Sequence, residues 1–357
     1  MKHRLISVFA LLPILAASCI GEHIPQPEDK DPEVVVKPTD PQKPVDPNKP
    51  VDPEDPDKPV GPDKPVDPEK PDPDVPQTGK GCLPNWAESP LLIDEDKDGR
   101  VDMDESLYYA SHYTDLKGPL GNGARNYTVC YSAEHHCPVW VAAPRHNMYQ
   151  VEVSDRTNAY GKDPKIPASI QYNSKSTGGG CNKGHMLGSR ERVASVKTNQ
   201  QVFYYTNIAP QLSAGFNTGG GGWNTLEDYV DTQVCSDTLY VVIGAYFEKY
   251  TDGYGETVSP KTISFGGRND VTCPTMFYYA LLRTKSGNSR KSVMNCSASE
   301  LQCVAFVRSH TNDHKGQKVT SREMMSISDL EKITGFTYFV NVPNAPKDSF
   351  NPSDWDL

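Results

Sequence analysis

The chain has 357 residues and carries 46 acidic against 36 basic side chains, a formal charge of −10. After the first residues no segment is apolar enough to cross a bilayer as a helix. Residues 28–74 alone hold −8 of that charge, so the acidity excludes nothing about the partners of the remainder, whose balance is too small to predict electrostatic steering.

The N-terminus reads as a targeting segment. Lys2 and Arg4 precede an apolar core from Leu5 to Leu15, and Ala16-Ala17-Ser18 offers small residues for cleavage. Cys19 directly after them resembles a lipobox, in which the cysteine is acylated and becomes the new N-terminus; an ordinary secretory signal with an incidental cysteine is the other reading. Residues 1–18 are thus expected as a signal peptide and Cys19 as a lipid anchor holding an exported protein to a membrane, at the outer membrane or the cell surface. Proline then recurs at every third position from Pro38 to Pro71. Polyproline II has three residues per turn, so residues 19–77 are expected to form an extended stalk. A ligand for proline-recognition modules is the competing reading.

About 280 residues remain, enough for one large domain with a substantial core. An N-terminal segment, 78–115, contains an EF-hand-like loop at 94–105. Asp94, Asp96, Asp98, Asp102 and Glu105 supply carboxylates at the pattern's ligand positions, Gly99 the sharp turn and Arg100 a backbone carbonyl. A structural Ca²⁺ is expected there, followed by an exiting helix over Asp104 to His112. Pro90 argues against a regular entering helix.

Residues 116–357 form the main domain. Val139 to Ala143, Leu239 to Ala245, Met276 to Leu282 and Gln302 to Val307 are short apolar runs bounded by turn residues, and predict strands. Trp223 to Val230 predicts a helix after the glycine run Gly219 to Gly222. Ser328-Asp329-Leu330-Glu331 predicts a capping box opening a short helix, with Gly335 closing it before a strand from Phe336 to Val342. Strands outnumber helices without alternating with them, so the fold class is α+β. Beyond Cys19, eight cysteines suggest up to four disulfides, with Cys130–Cys137 and Cys296–Cys303 as the local pairs and a zinc site as the runner-up. His310 and His314, and His135 and His136, read as structural or surface residues.

Chemistry concentrates between Cys181 and Glu227. The order is Asn182-Lys183-Gly184-His185-Met186, then Thr206-Asn207-Ile208-Ala209-Pro210-Gln211, then Phe216-Asn217-Thr218 and Trp223-Asn224-Thr225-Leu226-Glu227. A histidine beside a cation, several amides and a carboxylate suit phosphodiester hydrolysis, which needs a base for water, a hard cation for the phosphoryl oxygens and donors for the phosphate. Gly184 is expected to permit a turn that exposes the His185 ring.

These motifs resemble the DNA/RNA non-specific endonucleases, over roughly Asn85 to the C-terminus. The resemblance implies a ββα-metal nuclease fold on a mainly antiparallel sheet, with DNA and RNA as substrates and Mg²⁺ as cofactor. It further implies His185 as general base, Asn217 as the Mg²⁺ ligand and Glu227 placing metal-bound water. Lys183 and Arg156 would hold phosphate, Asn207 would sit beside the metal, and Asn182 and Gln211 would bind substrate. Asn182 and Lys183 stand where the family has aspartate and arginine, Asp231 stands where it often has arginine, and four glycines lengthen the spacing from Thr218 to Trp223. The expectation is a magnesium-dependent endonuclease of low sequence specificity. A catalytically weakened nucleic-acid-binding lipoprotein and a calcium-binding surface adhesin are the alternatives.

Overall fold

A computed structural model describes residues 77–78, 86–95, 97, 104–117 and 123–357. Leu107–Lys117 (β1), Gly123–Ser132 (β2) and Cys137–Arg145 (β3) run as an antiparallel meander. The chain then leaves this sheet. Cys181–His185 (β4) and Ile208–Leu212 (β5) pair as a separate two-stranded unit, followed by the helix Gly222–Asp231 (α1). Leu239–Tyr246 (β6), Met276–Thr284 (β7) and Leu301–Ser309 (β8) return to the sheet, and Ile327–Thr334 (α2) follows. The eight-stranded order is Gln77–Thr78, β1, β2, β3, β6, β7, β8, Met324–Met325, with every neighbouring pair antiparallel.

Both faces of this sheet are buried. Successive β7 side chains alternate between them: Phe277, Tyr279 and Leu281 enter one cluster, Met276, Tyr278, Ala280 and Leu282 the other. A strand covered on both sides reads as one continuous apolar run, which is how this segment reads in sequence. Trp223, Leu226 and Val230 of α1 cover the first face. Trp223 stacks on Tyr279 with centroids 4.9 Å apart, and truncating a tryptophan so placed costs about 3–5 kcal/mol. On the second face lie Ile327 and Leu330 of α2, with Phe336 and Tyr338.

The α+β class and the antiparallel sheet are as expected, and so are the strands over 139–143, 239–245, 276–282 and 302–307 and the helix over 223–230. Four local expectations are corrected. Residues from Leu107 to His112 are strand rather than exiting helix, because Leu107, Tyr109 and His112 point inward while β1 pairs with β2 along its length. That strand also runs through the proposed boundary at 115/116, so the two segments share one sheet. The C-terminal helix begins at Ile327, capped by Ser326, whose hydroxyl accepts the Asp329 N–H at 3.0 Å. Gly335 closes it in the left-handed conformation, as expected, but the strand beyond is only Phe336–Thr337.

The disulfide expectation also changes. All seven described cysteines are free. Cys130 and Cys137 belong to the two different apolar clusters, so the sheet separates their side chains. The Cys296 thiol turns back to the Ser292 carbonyl at 3.5 Å, while Cys303 lies within β8. Cys19 and Cys82 lie outside the described residues, as do Asp96, Asp98, Arg100 and Asp102 of the EF-hand-like loop.

Candidate functional site

The β4–β5 pair sets Asn182 opposite Gln211, Gly184 opposite Ala209 and His185 opposite Ile208. Gly184 makes no turn; it is part of the strand. Its hydrogen makes room for Gln211, since a Cβ at position 184 would lie 2.1 Å from the Gln211 Cδ. Beyond His185 the chain is locked by Asn207, which is fully buried. The Leu187 N–H donates to Asn207 Oδ1 at 3.0 Å, and Asn207 Nδ2 donates to the Leu187 and Val202 carbonyls at 3.0 and 2.7 Å. With its amide spent on backbone, Asn207 positions the turn after His185.

The loop after β5 brings in the next residues. Asn217 Nδ2 donates to Gln211 Oε1, and Asn182 Nδ2 donates to the Asn217 carbonyl at 3.1 Å. Asn182 and Gln211 thus shape the loop that carries Asn217, and neither lines the cavity it borders. The glycine run is a tight return. Gly220 adopts φ +74°, and a Cβ at Gly221 would sit 2.3 Å from the Phe216 carbonyl oxygen. The added length is absorbed in that turn, and α1 still delivers Glu227 to the same cavity as Asn217.

This cavity, about 390 Å³, is lined by charges of both signs. Arg156, Lys183 and Arg190 line it with His185; Glu191, Glu227, Asp228 and Asp231 line it with Asn217. His185 lies edge-on to Phe203, centroids 4.8 Å apart, and its Nε2 is enclosed without a hydrogen-bond partner. Burial first, then Arg156 and Lys183, push its pKa down to about 3. The ring is therefore uncharged at neutral pH, with a free lone pair but weak basicity until an anion offsets the two cations. Glu227 is half-buried. Its burial, then Glu191 and Asp231, hold its carboxyl well above the usual carboxylate range. A cation in the cavity would relieve that repulsion.

Glu191 and Arg190, in the short turn Ser189–Arg192, were not singled out in the sequence reading. Their signal in the sequence is the charged run Arg190-Glu191-Arg192, a few residues after the histidine strand. Arg145 of β3, almost wholly buried, lies 3.1 Å from Glu191 Oε2 through Nε and binds Asp231 Oδ1 through Nη2. The unusual Asp231 is therefore paired from beneath by an arginine of the sheet. Part of its negative charge is offset there, while the carboxylate still lines the cavity and adds to the repulsion on Glu227.

The donor set fits a small hard cation. Asn217 has its amide nitrogen committed to Gln211, which leaves Oδ1 as the free acceptor, with the Glu227 carboxylate across the same cavity. Among the described residues no three histidine, cysteine or acidic side chains form a cage for a metal ion. One amide oxygen plus water suits Mg²⁺, which keeps much of its hydration shell. His310 and His314 lie elsewhere. His310 donates from Nδ1 to the Pro274 carbonyl at 2.7 Å and accepts the Leu212 N–H at 2.8 Å, while His314 meets Asp252 at 2.8 Å. Both are buried structural residues.

A family model described as DNA/RNA non-specific endonuclease matches residues 112–345. The human mitochondrial nuclease EXOG is 28% identical over 228 residues, covering 63% of this chain and 58% of that protein. Human mitochondrial endonuclease G is 26% identical, covering 45% and 54%, and nuclease C1 of Cunninghamella echinulata var. echinulata is 27% identical, covering 50% and 66%. The chain thus spans little more than half the length of the first two relatives. Among solved structures, a chain from the crystal structure of the EndoG/EndoGI complex aligns with a TM-score of 0.49 at 22% identity, over 60% of this chain and 84% of that one.

The electrostatics of His185 give a direct test. Removing a neighbouring cation favours the protonated ring, so Lys183→Met should raise the His185 pKa, read from its ring-proton shifts in an NMR pH titration. Because the folded value lies below the ordinary 6.5, the unfolded chain binds the proton more readily. The stability that His185 contributes is whole above about pH 6.5 and is lost as pH falls towards about 3. Lys183→Met should narrow that window from its acid end.

Proposed function

As the chain belongs to the DNA/RNA non-specific endonuclease family, we propose that it hydrolyses phosphodiester bonds in DNA and RNA with little sequence specificity, using Mg²⁺. The observation that carries this reading is that one cavity is lined by His185, Arg156, Lys183, Asn217 and Glu227. His185 takes the proton of the attacking water. Since Nε2 is closed off, that water must meet Nδ1. Lys183 and Arg156 hold the phosphate oxygens, and backbone contacts of this kind leave base sequence unread. Asn217, with Glu227 through water, would hold the magnesium, which supplies charge neutralisation for the phosphoryl group and the leaving oxygen.

His185→Ala should keep the fold and nucleic-acid binding while plasmid DNA and RNA cleavage fall by about 10²–10⁴, the usual worth of a positioned base. Wild-type cleavage by that variant would remove His185 from the mechanism. Absence of Mg²⁺-dependent cleavage in the unmutated chain would favour the binding-protein reading.

Two further proposals concern residues mostly outside the described ones. Export with acylation at Cys19 rests on the N-terminal pattern; Cys19→Ser should move the protein from the membrane fraction to the soluble one. A structural Ca²⁺ at Asp94 to Glu105 rests on the spacing of oxygen ligands. Calcium should raise the melting temperature of the unmutated chain, Glu105→Gln should abolish that rise, and an unresponsive wild type would leave only a charged turn.

A further inference from the structure

Arg156 and Lys183 are cations on flexible stems that flank one histidine, and like charges so placed repel one another. Something must hold each in place. Arg156 donates from Nε to Asn158 Oδ1 at 2.9 Å and from Nη2 to the Tyr160 hydroxyl at 3.2 Å. Lys183 donates to the Lys175 carbonyl at 3.2 Å, and its Nζ stands 5.3 Å from the centre of the Tyr160 ring. One tyrosine therefore meets both cations, with its oxygen towards the arginine and its π system towards the lysine.

That tyrosine is itself fixed. Its ring meets Phe203 edge-on at 4.9 Å and lies 5.9 Å from the His185 ring. Its neighbour Gly161 donates to the Phe203 carbonyl at 3.3 Å and accepts the Tyr205 N–H at 2.8 Å, which ties the segment to the turn before β5. On the arginine side, the Thr157 N–H donates to the buried Asn199 Oδ1 at 2.9 Å. The loop is anchored at both ends, with the half-buried Tyr160 ring between the cations and the core.

We propose that Tyr160 is a positioning residue, which acts through Arg156 by its hydroxyl and through Lys183 by its ring to set both cations for a phosphate beside His185. The proposal rests on the nuclease reading for the identity of the anion, and on geometry alone for the coupling. A tyrosine that merely packs against Phe203 would do its work whichever residue stood at 156.

The test is a double-mutant cycle in the full-length chain, with two readouts. The first is affinity for a short DNA oligonucleotide in the presence of a chelator, where no cleavage is needed; the second is kcat/KM for cleavage with Mg²⁺. Tyr160→Phe keeps the ring and removes one hydrogen bond that orients Arg156. Because that bond lies within the protein, only its orienting share bears on binding, and affinity should fall about three- to tenfold, less than the full worth of a hydrogen bond to a charged group. In an Arg156→Ala background the same change should cost less than twofold. Tyr160→Leu should weaken binding further, and that additional loss should shrink in a Lys183→Met background. Equal losses with and without Arg156, at unchanged melting temperature, would overturn the proposal and leave Tyr160 a packing residue; so would an unaltered affinity in Tyr160→Phe. Coupling in the affinity readout without any cleavage by the unmutated chain would uphold the positioning role and sink the nuclease reading instead.

Discussion

The side chain of Gln211 occupies the space that any residue larger than glycine would need at position 184. This close approach joins two pieces of chain that the site requires together. Through it the strand ending in His185 lies flat against its partner, and the same amide accepts a hydrogen bond from Asn217. The proposed base and the proposed metal ligand are thus set relative to one another by one buried glutamine. Asn182 adds a second hold, on the Asn217 backbone. Amides suit this work because each offers both a donor and an acceptor and none adds a charge to a crowded cavity.

Charge of both signs is arranged around that frame. Arg156, Lys183 and Arg190 line the cavity together with four carboxylates. Left alone, the carboxylates would repel a phosphate. Arg145 offsets part of this from within the sheet, pairing with the buried Glu191 and the partly exposed Asp231. Among the described residues Glu227 has no ion pair with a basic side chain, and burial, then Glu191 and Asp231, raise its pKa. It is the carboxylate whose charge a bound cation would most stabilise.

The sheet supplies the rigidity. A second polar pin, the buried pair His112 and Asp163 at 2.9 Å, joins β1 to the insert that carries the site. Asp163 also accepts the Thr206 hydroxyl at 2.7 Å, one residue before the Asn207 lock. Burial opposes the ionised carboxyl, yet His112 and these hydrogen bonds hold its pKa below the usual value. Asp163 was silent in the sequence, because an aspartate followed by proline and lysine looks like any turn.

The sequence by itself determined the elements whose signal is local. Runs such as Met276 to Leu282 are apolar because both faces of the sheet are covered, and they read as strands without knowledge of what covers them. The ordered motifs from Asn182 to Glu227 likewise marked four residues, Lys183, His185, Asn217 and Glu227, and the family resemblance a fifth, Arg156, that the fold gathers around one cavity. Tertiary structure decided what depends on partners distant in the chain. Leu107 to His112 became strand because β2 offers it a ladder, overriding a helical reading of the same residues. Cys130 and Cys137, seven apart, were parted by the sheet between them. Asn207, Asn182 and Gln211 proved to hold the site rather than line it, since an amide's role is set by the groups it meets. Asp231 acquired its counter-ion from a strand 86 residues away. Residue types and their order fix the chemistry a chain can offer; burial and pairing across the fold assign each group its share of it.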